Sequence, residues 1–134
     1  MTTAPLRQVR VVAAVIEHEG KLLLSRRKDK GERAGLWEFP GGKIEAGETE
    51  EAALVRELRE ELDVEATVGA FVERLTHEYP DVRVELILYR ATVPLGAEPK
   101  ALSAAEVAWV PKPRLLELPF CEADIPILGR IARE

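Results

Sequence analysis

The chain has 134 residues, 46% apolar and 32% charged, with a formal net charge of −5, which suits a single domain over residues 1–134 with a core of its own. That acidic balance excludes a basic footprint for a DNA or RNA polymer, and no run is apolar and long enough to span a membrane. Cys121 is the only cysteine, which excludes an internal disulfide and a cysteine zinc site and fits a reducing cytoplasm.

Residues 1–6 read as a loose tail. Arg7 and Arg10 precede VVAAVI, too short for a signal-peptide core, and residues 9–16 read as a buried strand. Glu17-His18-Glu19-Gly20 is a turn, and Lys21 to Ser25 is the return strand. Arg26-Arg27-Lys28 follows at the strand end. It reads either as solvated charge or as a phosphate clamp, since an Arg fork matches phosphate oxygens. Asp29 to Gly35 is a polar loop. Trp37 and Phe39 then alternate with Glu38 as in a short strand. Pro40, Gly41 and Gly42 break it, the glycines permitting backbone angles that other residues resist. A backbone carbonyl here can offer a hard oxygen ligand.

Gly42 to Val64 reads as a glycine-rich loop entering one acidic helix. Thr49 can cap that helix, with Glu50 and Glu51 in its first turn. Ala52, Val55, Leu58 and Leu62 give an apolar stripe. Glu57, Glu60 and Glu61 stand at i, i+3 and i+4, on a face expected to point away from that stripe. Like charges at this spacing repel by about 0.2–0.5 kcal/mol per exposed pair, so a purely structural helix would alternate signs. Mg²⁺ or Mn²⁺ would remove the conflict, because hard cations take carboxylate oxygens together with substrate phosphates. Bound there, such ions activate water and stabilise the leaving oxygen. Glu57 is the first choice for general base, Glu60 shares the catalytic cluster, and Arg56 can orient a carboxylate through a charge-assisted fork. A solvated acidic face is the plainer reading of the same residues.

Val64 to Thr76 reads as strand with a break near Gly69, and Tyr79-Pro80-Asp81 as a turn. Residues 82–93 alternate, with Val82, Val84, Leu86 and Leu88 on one face, completing a long hairpin. Residues 94–105 form a loop, Val107 to Val110 a short strand with Trp109, and Pro113 to Glu117 a small helix. Asp124 to Arg133 is a final amphipathic helix with Ile127, Leu128 and Ile131 inward, which Asp124 can cap. Strands around two helical stretches give an α/β (α+β) architecture, a mixed β-sheet sandwiched between helices.

The string Gly42, five residues, Glu48, seven residues, Arg56-Glu57-Leu58-Arg59-Glu60-Glu61-Leu62 and Val64 resembles the Nudix box, with Asp63 in place of its last glycine. A left-handed helix terminus tolerates Asp better than most residues. LWEFPGGKIEAGET, the Trp109-Val110-Pro111 strand and ADIPIL extend the resemblance over nearly the whole chain, to MutT-type Nudix hydrolases. The resemblance implies the Nudix fold and a small-molecule nucleotide substrate, cleaved from triphosphate to monophosphate and pyrophosphate by a monomer or homodimer. It implies a metal ligand at the Gly41 carbonyl beside Glu57, Glu60 and Glu61, a phosphate contact at Arg27, and base reading at Asp124 with Glu38 and Phe39 lining the pocket. Many relatives carry a further glutamate where this chain has Ser103, and Glu106 is the candidate metal ligand to replace it. The leading substrates are 8-oxo-dGTP and a cytidine nucleotide. ADP-ribose hydrolysis and a catalytically silent binding module are the other readings.

Overall fold

A computed structural model describes residues 6–134, so most of the expected tail lies outside the described residues. The spine is strand β1 (Arg7–His18), and the other strands are β2 (Lys21–Arg26), β3 (Trp37–Glu38), β4 (Gly41–Lys43), β5 (Thr67–Glu78), β6 (Val82–Thr92) and β7 (Glu106–Pro111). The helices are α1 (Glu50–Leu62) and α2 (Ile125–Arg133), with short 3-10 turns at Lys112–Glu117 and Glu122–Asp124.

β1 runs parallel to β6, from Arg7 opposite Val82 to Ile16 opposite Ala91, and antiparallel to β4 and the start of β2. β6 pairs antiparallel with β5, and β2 with both β3 and β7, so the sheet is mixed. Val12, Ala14 and Ile16 pack with α1 on one side, while Ala13 and Val15 pack with α2 on the other. A strand covered on both faces needs apolar residues at every position, which is why VVAAVI does not alternate. The expected sandwich is therefore present, and the expected hairpin is β5–β6. The break near Gly69 is a pair of register shifts between Val68 and Glu73, and the strand continues through them.

Helix α1 is rotated from the expected phase. Ala53, Leu54, Leu58 and Leu62 are buried, whereas Ala52 is exposed and Val55 only half-buried. This rotation brings Glu57 to the edge of the packed face. In α2, Ile127, Leu128 and Ile131 are buried as expected. Asp124 stands at the N-cap position but its side chain makes no cap bond. Among the described residues no helix is long and apolar enough to cross a membrane.

Candidate active site

The start of α1 is fixed from several directions. Thr49 Oγ1 accepts from the Ala52 amide at 3.1 Å, a cap worth about 1 kcal/mol. Glu50 is tied to the sheet by Arg10 at 2.8 Å, Arg74 at 3.1 Å and the Tyr89 hydroxyl at 2.8 Å. At the other end Asp63 adopts φ 56°, and its amide bonds to the Arg59 carbonyl at 3.0 Å. Asp thus takes the left-handed position that the sequence motif gives to glycine.

Arg56 organises the loop that enters the helix. Its Nε and Nη2 donate to the two oxygens of Glu48 at 2.6 and 2.8 Å, and Nη2 also reaches the Lys43 carbonyl at 2.9 Å. Nη1 donates to Glu57 Oε1 at 2.9 Å and to Glu60 Oε2 at 3.1 Å. Hydrogen bonding from Arg56, with help from the Glu45 amide, lowers the Glu48 pKa to about 2. Glu48 thus stays charged and holds the guanidinium in place.

Glu57 is 8% exposed. Burial raises its pKa, against the pull of Arg56 and with added repulsion from Glu60. Glu61 is raised by burial and then by Glu57 and Glu60. The Glu57 carboxylate lies in a hollow that exists because residue 42 has no side chain: a Cβ on Gly42 would collide with it. A Cβ on Gly41 would strike the Val12 carbonyl of β1. Neither glycine has a positive φ, so both are required by close approach and not by backbone freedom as expected.

These groups form one end of a cavity of about 550 Å³ that Gly41, Glu57, Glu60 and Glu61 line. Its far end is lined by Glu38, Phe39, Tyr79, Cys121 and Asp124 over an apolar floor from β1 and β6. Trp37 sets up that end. Its amide and carbonyl bond to the Pro119 carbonyl and the Cys121 amide, drawing the 119–124 segment alongside β3. Asp124 Oδ2 then accepts from the Phe39 amide at 3.0 Å. Burial pushes Asp124 up to about 8, so at neutral pH it presents a proton donor as well as an acceptor. Glu38 is also raised by burial, with Arg27 opposing at 3.4 Å.

The Asp124 shift makes a stability prediction. A free Asp ionises near pH 4. The folded form holds its proton to about pH 8, so stability falls as pH climbs between those values. Asp124→Asn keeps an acceptor for the Phe39 amide and removes the charge. Its Tm should exceed that of wild type by about 4 °C or more at pH 8.5, with a smaller gain at pH 5. An equal difference at both pH values would contradict a buried neutral Asp124.

A second hollow, of about 370 Å³, shares Arg27, Glu38, Gly41 and Glu61 with the first and adds Ser103. Glu106 lines neither one. In the β2–β7 register it stands opposite Arg26 and pairs with it at 3.1 Å. Ser103, where relatives carry the further glutamate, lines the second hollow. Arg27 bonds to the Glu32 carbonyl at 3.3 Å and borders both hollows. Tyr79 and Cys121 line the cavity without having been singled out. In sequence Tyr79 is one residue of a turn beside Pro80, and Cys121 a lone cysteine, neither with a spacing that points to a site.

The donors at the acidic end are carboxylate oxygens beside the Gly41 backbone, a set suited to a hard divalent cation and not to a soft one. The raised Glu57 and Glu61 carry repulsion that such a cation would relieve. Among the described residues no three ligating side chains already converge on one point. Arg56 holds Glu57 and Glu60 instead.

Residues 11–130 match a family described as NUDIX domain. The chain is 41% identical over 123 residues to the CTP pyrophosphohydrolase of Escherichia coli K12, covering 92% of this chain and 90% of that protein. It is 35% identical over 127 residues to the 8-oxo-dGTP diphosphatase of Haemophilus influenzae, covering 94% and 93%. The crystal structure of the MutT protein from Methanosarcina mazei superposes with a TM-score of 0.85 at 25% identity, over 98% of this chain and 97% of that one.

Proposed function

Because the chain belongs to the Nudix family and is a hydrolase, we propose that it cleaves a nucleoside triphosphate to the monophosphate and pyrophosphate with Mg²⁺. The substrate class is an oxidised or modified nucleotide such as 8-oxo-dGTP, removed from the cytoplasmic pool before a polymerase can use it. The observation that carries this reading is one cavity lined both by a buried Glu57 with Glu60 and Glu61 and by Glu38, Phe39 and Asp124.

Glu57 accepts the proton of the attacking water at Oε2, the oxygen beside Gly42, while Arg56 holds Oε1. Buried, and with one oxygen left free by Arg56, it is positioned as a general base. Glu60, Glu61 and the Gly41 carbonyl would hold divalent ions, which would supply activation of the water and neutralisation of phosphate charge. Arg27 holds the phosphates between the two hollows. Glu38, Phe39 and Asp124 orient the base. Phosphoryl transfer asks little of a protein beyond this positioning and charge.

The 41% identity to a CTP pyrophosphohydrolase favours a second reading, a cytidine nucleotide as substrate. A competition assay over 8-oxo-dGTP, dGTP, CTP, modified dCTP and ADP-ribose decides between them. The main reading expects 8-oxo-dGTP to win. A CTP preference selects the second, and an ADP-ribose preference overturns both. A silent binding module would show no pyrophosphate release with any triphosphate.

A further inference from the structure

Arg33 has no part in the chemistry above, yet it is held more firmly than a loop arginine needs to be. It lies between β2 and β3 with φ 58°, a conformation uncommon for residues other than glycine. Its guanidinium carbon sits 4.1 Å from the centre of the Tyr79 ring, within cation–π range. Nη1 and Nη2 donate to the two Asp81 oxygens at 3.0 and 3.4 Å, and the side chain is 19% exposed.

The group is also placed at the base end. Arg33, Tyr79, Ala123 and Asp124 all line the cavity. The Tyr79 hydroxyl accepts from the Ala123 amide at 2.9 Å, beside Asp124. Arg33 therefore ties the β2–β3 loop to the β5–β6 turn, and through Tyr79 to the segment that carries Asp124. A guanidinium has five N–H donors and no acceptor. Asp81 takes two, and among the described residues no other group accepts from the rest.

We propose that Arg33 is a specificity-determining residue whose spare N–H groups read a carbonyl on the base. This rests on the far end of the cavity holding the base. A donor-only group satisfies a carbonyl and opposes an amino group, so oxo-bearing bases are accepted and adenine, which has no carbonyl, is disfavoured. The stack on Tyr79 and the Asp81 fork fix the guanidinium before the ligand arrives, which limits the entropy lost on binding.

The test compares ITP with ATP, which differ at one edge of the base, and 8-oxo-dGTP with dGTP, by kcat/KM. Arg33→Met retains stacking length on Tyr79 and removes the donors. At least one of the two preferences should fall about 10-fold or more, chiefly through KM of the oxo-bearing nucleotide. Arg33→Lys, which keeps the charge without the fork, should not restore it. Arg114→Ala, which removes an exposed charge away from the cavity, should leave both preferences unchanged. If Arg33→Met lowers all four rates equally, or changes none, the role in base reading is refuted while triphosphate cleavage stands. If wild type cleaves no triphosphate, the underlying reading fails as well.

Discussion

Glu57→Gln should lower kcat by about 10²–10⁴-fold while leaving a folded protein that is no less stable than wild type. The two effects separate because the same burial produces both. Glu57 is buried at the edge of the packed face of α1, and its raised pKa means that the ionised form is disfavoured there. The sign follows from that direction. The folded state holds the Glu57 proton longer than the unfolded chain does, so its contribution to stability falls as pH rises through the carboxylate range. Gln has the same shape, still accepts from Arg56, and carries no charge to desolvate. Kinetics with a triphosphate and a melting curve at pH 7.5 measure the pair. A large loss of Tm with the activity would mean that Glu57 serves structure first.

Gly42→Ala should cost at least about 10²-fold in kcat through a single methyl group. The backbone of β4 accepts alanine, since φ at Gly42 is not positive and the residue pairs in register with Val12. The new methyl would land on the Glu57 carboxylate and must displace it. Overpacking of this kind costs about 1–3 kcal/mol, so some stability is lost as well. Coupling distinguishes the mechanism: if the effect runs through Glu57, Gly42→Ala/Glu57→Gln should be no slower than Glu57→Gln alone. Multiplicative losses would show that Gly42 acts elsewhere.

Much of this was legible in the chain because the decisive features are local. Thr49, the acidic first turn and the run through Glu61 specify α1 and its carboxylates within a few turns, and the unbroken VVAAVI already marks a strand covered on both faces. What was not legible depends on partners distant in sequence. In α1 the apolar Ala52 and Val55 compete with Ala53 and Leu54 for the packed face, and only the sheet decides that the latter pair is buried. That competition hides the burial of Glu57. Glu106 looked available as a ligand until pairing with β2 set it against Arg26, 80 residues away. Asp124 looked like a helix cap, and its bond to the Phe39 amide spans 85 residues. A Pro-Gly-Gly run suggests backbone freedom at Gly42, whereas what its missing side chain provides is the room that Glu57 occupies.

The central claim is that Glu57, Glu60 and Glu61 grip divalent ions beside a bound polyphosphate. Electron paramagnetic resonance of Mn²⁺ titrated into the protein with a non-hydrolysable triphosphate analogue tests it most directly. Wild type should bind the ion at least about 10-fold more tightly than Glu57→Gln/Glu60→Gln/Glu61→Gln, both with the analogue present. Equal affinity in the two proteins would contradict the account, leaving Glu57 and Glu60 as partners of Arg56 and Glu61 beside them without an ion.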